Sequence, residues 1–173
     1  MESDKVELRR NVDMPDINAL DLRGFISRAM NEVFDTMLSM DIEPADESVH
    51  GNVDGERIMG SVGFAGKAVG SVSIHVNEAF ARSITAAMLG MEEDEIEGDE
   101  EVHDVIGELS NMIGGDLKSR LCDGGFVCEL SIPSIITGSD FKTEIKGWER
   151  HENLVFRHEE QFALVDVYIK TNG

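Results

Sequence analysis

The sequence predicts an α+β domain in which long helices pack on a mainly antiparallel sheet. Three observations carry this expectation. Apolar residues recur at three- and four-residue intervals in three segments, and small and β-branched residues form extended runs in the others. The runs are joined by hairpin-length connections, which favour antiparallel pairing, and the helical segments are then left to cover the sheet. With 173 residues, 41% of them hydrophobic, the chain is long enough to bury a proper core. Residues 16–173 are expected to form a single domain, preceded by a flexible polar arm over residues 1–15.

Residues 18 to 40 place Leu22, Phe25, Ile26, Ala29, Val33, Met37 and Met40 at helical spacing, which predicts a long amphipathic helix. From Arg57 the texture changes: "RIMGSVGF", the turn "AGKA" and "VGSVSIHV" predict a hairpin. "NEAFARSITAAMLG" follows as a short helix, with Asn77 as N-cap and Gly90 as C-cap. A third helix is expected from about Asp99 to Cys122, closed by "DGG" at residues 123 to 125. "FVCELSIPSIITG", "ENLVFRHEE" and "FALVDVYIKT" predict strands, the last two in a hairpin around Glu160 and Gln161. Pro133 cannot donate to a ladder, so its strand should lie at an edge or bend there. A long helix followed by strands occurs twice, which suggests two halves related by internal pseudo-symmetry.

Composition narrows the function classes. The 35 acidic and 15 basic residues give a formal charge of −20, which repels nucleic acid phosphates and anionic lipid headgroups. The N-terminal "MESDKVELRR" has no apolar core of a signal peptide, and no segment reaches the roughly 18 apolar residues of a membrane span. A cytoplasmic protein with neither nucleic acid nor membrane as partner is expected. Cys122 and Cys128 match no zinc spacing and read as reduced core residues, and the five histidines show no ligand pairing. No metal site is expected, and the acidic run "EEDEIEGDEE" reads as a solvated linker leading into the third helix.

That third helix holds the chemistry. On a helical wheel Val102, Val105, Ile106, Leu109, Met112, Ile113 and Leu117 share one broad face. Asp104, Glu108, Asn111 and Gly115 share the opposite one, within an arc of roughly 60°. Interior glycines each cost about 1 kcal/mol relative to alanine, so "GELSNMIGGDLKSRL" carries its adjacent glycines for a reason. Gly115 lies in the polar stripe, where it would keep the surface low for a partner. Gly114 lies on the flank, where packing against another helix would account for it. Glu108 and Asn111, three residues apart, also describe an ordinary solvated helix face. The pair can do more: a carboxamide can hold water in line with a phosphorus atom, and a carboxylate can pair with a lysine beside a phosphoryl group.

"DVIGELSN", residues 104 to 111, fits the D/S-x3-E-x2-N signature of the CheC, CheX and FliY phosphatases, which dephosphorylate the response regulator CheY. "FISRAMNEVFDTML" resembles the family's first helix, and "VGFAGKAVGSVSIHVNEAFA" its first hairpin and second helix. "NMIGGDLKSRL" resembles its active helix, and "ELSIPSIITG" the proline-bearing strand that follows. The likeness covers most of residues 18 to 138 and is nearest to CheX-like proteins. It implies a CheC-like fold and a protein aspartyl-phosphate phosphatase that ends a chemotaxis signal. Asn111 would orient the hydrolytic water, Glu108 would contact the receiver's lysine, and Asp104 would support the contact. The resemblance implies no cofactor of the protein's own, Mg2+ on the partner receiver domain, and a homodimer joined by sheet extension. CheC-type relatives carry a second signature on the first helix; here Glu32 is followed three residues on by Asp35, so one active site per chain is expected. Two other readings stay open: a non-catalytic receiver-binding module like the flagellar switch protein FliM, and the same chemistry in a two-component pathway outside chemotaxis.

Overall fold

The structure, a computed structural model, describes residues 15–46 and 55–173. The expected arm over residues 1–15 thus lies outside the described residues except for Pro15. The first helix, α1 (Leu22–Leu38), starts later than its apolar spacing predicts, because Asp21 caps it by accepting from the Gly24 amide at 3.1 Å. The residues ahead of the cap make a single 3-10 turn, Ile17–Ala19. Ser39, with φ of 51°, closes α1 in the left-handed region, so Met40 falls outside the helix. Met37 points away from the core and is exposed.

A three-residue strand that the sequence analysis missed, β1 (Glu43–Ala45), precedes the expected hairpin of β2 (Glu56–Gly66) and β3 (Ala68–Asn77). Helix α2 (Glu78–Leu89) has the expected caps: Asn77 Oδ1 accepts from the Phe80 amide at 2.8 Å, and Gly90 has φ of 65°. Helix α3 (Asp99–Asp123) begins at the end of the acidic run, with Asp99, Glu100 and Glu101 in its first turn, where the helix dipole favours negative charge. The strand bearing Pro133 is broken into β4 (Cys128–Leu130) and β5 (Ser134–Ser139), and both pair with the same side of β2 at the sheet's edge. A second hairpin, β6 (Arg150–His158) and β7 (Gln161–Thr171), turns at Glu159 and Glu160.

The antiparallel sheet runs β1-β6-β7-β3-β2-β4, with β5 continuing alongside β2. This order carries the pseudo-symmetry. The central pair is β3 and β7, each flanked by its own hairpin partner, β2 or β6. The segment after α1 then pairs with the second hairpin, and the segments after α3 pair with the first. Each half therefore completes the other's edge, the arrangement expected of a duplicated helix-and-hairpin unit.

One face of the sheet carries the core, with Val62, Val72, Ile74, Val165 and Val167 packed under Ile26, Phe34, Phe80, Ile106 and Leu109 of the helices. Alternate strand residues point the other way. There Ser73, His75 and Asp166 are buried beneath the segment between β5 and β6, whose Phe141 ring lies 6.4 Å from that of His75. Burial by itself would raise the Asp166 pKa, but the polar groups around it prevail and hold its carboxyl below the ordinary 3.8. Oδ1 accepts from Asn153 Nδ2 at 2.5 Å and lies 3.0 Å from His151 Nε2. His75 Nε2 stands 3.3 Å from Oδ2 and is the leading of the polar groups that lower the carboxyl, ahead of His151 and Asn153.

Because the folded pKa of Asp166 is depressed, its contribution to stability is complete above the unfolded value and is lost as the pH falls through the folded one. Asp166→Leu is expected to lower stability by about 2 kcal/mol at neutral pH, since Asn153 and His151 lose their buried acceptor. The check is the urea midpoint as a function of pH. As the pH falls through the ordinary 3.8 and below it, the variant should lose less stability than the wild type does.

Candidate functional site

Helix α3 is held against β2 by two close approaches. A Cβ on Gly60 of β2 would stand 2.1 Å from Ser110 Oγ, and a Cβ on Gly114 would stand 2.4 Å from Val62 Cγ2. One glycine on the strand and one on the helix thus let the two backbones come closer than side chains would allow. Ser110 is buried and satisfies its hydroxyl by donating to the Ile106 carbonyl at 2.7 Å. The expectation that Gly114 packs against another helix is corrected here: its neighbours are Val62, Val72 and Leu130, all from strands.

This docking fixes which way α3 faces. Val102, Val105, Ile106, Leu109, Ile113 and Leu117 are buried, and Met112 is partly buried against the core. Asp104, Glu108 and Asn111 are exposed, and Gly115 is half-buried, with only Leu130 Cδ1 near its Cβ position, at 4.0 Å. All four sequence-derived residues lie along one solvent-facing stripe. Among the described residues, the side chains of Asp104, Glu108 and Asn111 form no hydrogen bond or ion pair.

Neighbouring charges are engaged instead. Lys118 pairs with Glu129 at 3.0 Å, and Arg120 pairs with Asp116 at 2.7 Å and with Glu32 of α1 at 3.8 Å. Glu32 therefore contributes to the contact between α1 and α3, while Asp35 lies exposed. Glu108 remains an unpaired carboxylate three residues from an unpaired carboxamide. A carboxylate so placed can receive a cation from a partner, and the amide oxygen can accept from water without acting as a base.

The wall beside this stripe leaves no local signal in the sequence. A Cβ at Gly107, one turn before Asn111, would lie 3.7 Å from Pro133 Cγ and 3.8 Å from Ile135 Cδ1. Since Leu130 stands beside Gly114 and Gly115, the residues between β4 and β5 run along α3 past Asn111. The proline itself was visible in the sequence as a strand break; its position against α3 was not. Elsewhere, Cys128 is buried, which pushes its thiol up to about 11, and Cys122 is partly buried; the two are not bridged. Among the described residues no group of three or more His, Cys, Asp or Glu side chains is arranged to hold a metal ion. Nor is any described helix long and apolar enough to cross a membrane.

Long helices packed on an antiparallel sheet of this kind are the fold shared with CheX and CheC-like proteins. The family profile described as "Chemotaxis phosphatase CheX" matches residues 58–156, more than half of the chain and the whole of the stripe. The chain belongs to the chemotaxis phosphatase CheX family. No curated protein matches it by sequence. Its fold is similar to that of chemotaxis protein CheX from Vibrio vulnificus, with a TM-score of 0.74 and 24% identity over 87% of this chain and 97% of that one. A CheC-like superfamily protein from Shewanella sp. PV-4 has a TM-score of 0.73 and 26% identity, covering 87% of this chain and 98% of its own. The CheX-CheY-BeF3-Mg2+ complex from Borrelia burgdorferi contains a chain with a TM-score of 0.68 and 23% identity, covering 87% and 98%.

Proposed function

We propose that this protein hydrolyses the aspartyl phosphate of a CheY-like receiver domain, with residues 16–173 acting as one phosphatase domain and α3 as its active element. The observation that carries the reading is the pairing of Glu108 and Asn111, exposed and unengaged on the one face of α3 that the core leaves free. In the Borrelia burgdorferi complex a CheX is bound to CheY with BeF3 and Mg2+, and BeF3 stands in for a phosphoryl group. The same partner suits this stripe.

Glu108 binds a lysine beside the receiver's phosphoryl group and so sets the register of the two proteins. Asn111 then lies over the phosphorus and accepts a hydrogen bond from water, holding it opposite the aspartyl oxygen. Water oxygen bonds to phosphorus as the bond from phosphorus to the aspartyl oxygen breaks. The aspartate leaves as a carboxylate, and the water's proton goes to the released phosphate. The helix contributes position rather than a strong base, and in phosphoryl transfer position supplies much of the rate. Mg2+ belongs to the receiver and neutralises charge on the phosphoryl oxygens. Asp104, one turn before Glu108, extends the negative field that attracts the lysine. Two copies join by sheet extension through the outer edge of β5, which among the described residues pairs only with β2.

The direct test follows phosphate release from CheY-like receivers phosphorylated with a small-molecule donor, with and without the protein. No acceleration for any receiver would sink the proposal. Gly115→Leu probes the surface around the amide. It is expected to raise helix propensity and leave thermal stability undiminished, yet raise KM for the phosphorylated receiver about tenfold, because a branched side chain would stand one turn from Asn111. An unchanged KM would remove docking as the reason for that glycine.

A further inference from the structure

Ile132 is 86% exposed, the highest value among the large apolar residues described. Its presentation is built rather than incidental. On one side Ser131 is tied to β2 twice: its amide donates to the Gly63 carbonyl at 2.9 Å, and its Oγ accepts from the Gly63 amide at 2.8 Å. On the other side Pro133, whose φ is fixed and which has no amide proton to pair, packs its ring over Gly107 of α3. The break between β4 and β5 thus holds an isoleucine outward from two anchored neighbours, and no core contact repays its exposure.

The location follows from contacts already described. Pro133 Cγ is 3.7 Å from the Cβ position of Gly107. Residues four apart on a helix lie about 5–6 Å apart, so Pro133 comes within roughly 10 Å of Asn111. Ile132 is the next residue, about 3.8 Å further along the backbone. A specific interface covers about 800 Å² of each partner, a patch with a radius of roughly 16 Å. A patch of that size centred on Asn111 reaches as far as Ile132. An apolar anchor whose backbone is fixed before binding loses less entropy on docking, and buried apolar anchors carry a large share of interface energy.

We infer that Ile132, positioned by Ser131 and Pro133, is the apolar anchor that docks an uncharged surface of the receiver domain beside its phosphorylation site, and so sets receiver affinity separately from hydrolysis. The inference rests on the receiver-phosphatase reading of α3. The division of labour is chemical. Glu108 and Asn111 address groups that every phosphorylated receiver shares, whereas the apolar surface around the phosphorylation site differs from one receiver to another and can be told apart.

The test measures kcat and KM for receivers kept phosphorylated by a small-molecule donor, and Kd for the same receivers loaded with BeF3 and Mg2+. Ile132→Asp is expected to raise both KM and Kd at least tenfold while kcat at saturation stays within twofold, and Ile132→Met is expected to recover most of the loss. Thermal unfolding should match the wild type, since the side chain has no core contacts to lose. KM and Kd within twofold of wild type would overturn the inference, and so would a change confined to the protein's self-association. If the wild type binds BeF3-loaded receivers without releasing phosphate, the catalytic reading fails while the Kd series still decides the role of Ile132. If it neither binds nor hydrolyses, both are overturned.

Discussion

Asn111→Ala is expected to lower kcat for receiver dephosphorylation by about 100-fold or more while KM changes little, the signature of a group that acts on the reacting water rather than on binding. The residue is exposed and makes no side-chain hydrogen bond within the described residues, so its removal leaves nothing buried unsatisfied. Thermal unfolding should therefore coincide with that of the wild type. Asn111→Asp sharpens the result. It preserves the shape of the side chain but places a negative charge beside the phosphoryl oxygens, so it should be as inactive as the alanine variant and should also bind the BeF3-loaded receiver less tightly. Glu108→Ala should divide the effects differently, raising KM because the lysine contact is lost. Full activity in Asn111→Ala would end the proposed mechanism while leaving the fold assignment intact.

The second large effect is on stability. Gly114→Ala should be destabilising by about 2 kcal/mol, although alanine is by far the better helix former. The new Cβ would stand 2.4 Å from Val62 Cγ2, with Val72 Cγ1 at 3.5 Å and Leu130 Cδ2 at 3.6 Å, and Val62 is a stiff β-branched side chain, 1% exposed. The overlap is relieved only by moving the helix off the sheet, which would also strain the contact at Gly60. For a domain of this size the loss corresponds to a fall of roughly 4–8 °C in Tm. Gly115→Ala should go the other way, gaining about 0.5–1 kcal/mol, because its Cβ would meet a single atom at ordinary contact distance. Opposite signs at adjacent glycines are the outcome to look for in paired denaturant titrations. Equal shifts would show that α3 does not lie on β2 as described.

Much of the fold could be read locally. The caps Asn77 and Gly90, the hairpin around Lys67 and the core stripe of α3 each depend on residues within one turn or one hairpin of each other, and the structure has them where the sequence places them. Errors arose where a local signal competed with a capping group. The apolar spacing of α1 continues through residues 18 to 40, but the Asp21 cap and the left-handed Ser39 cut it to Leu22–Leu38. Strand β1 had no signal, since three residues that include Pro44 show neither alternation nor β-branching and are held only by pairing with β6.

The stripe of Asp104, Glu108, Asn111 and Gly115 was determined by the sequence alone, because a helical period and an apolar face suffice to say what is left for solvent. Which strand lies beneath that helix was decided by the tertiary structure. Only the crossing of α3 over β2 explains why Gly60, Ser110 and Gly114 are small, since their sizes answer to one another across gaps of about 50 residues. The same holds for Ile132, an unremarkable apolar residue in an extended run until Pro133 is seen resting on Gly107. Contacts between residues far apart in the chain leave no period in the sequence. They settle what flanks the site, whereas local spacing had already settled what lies within it.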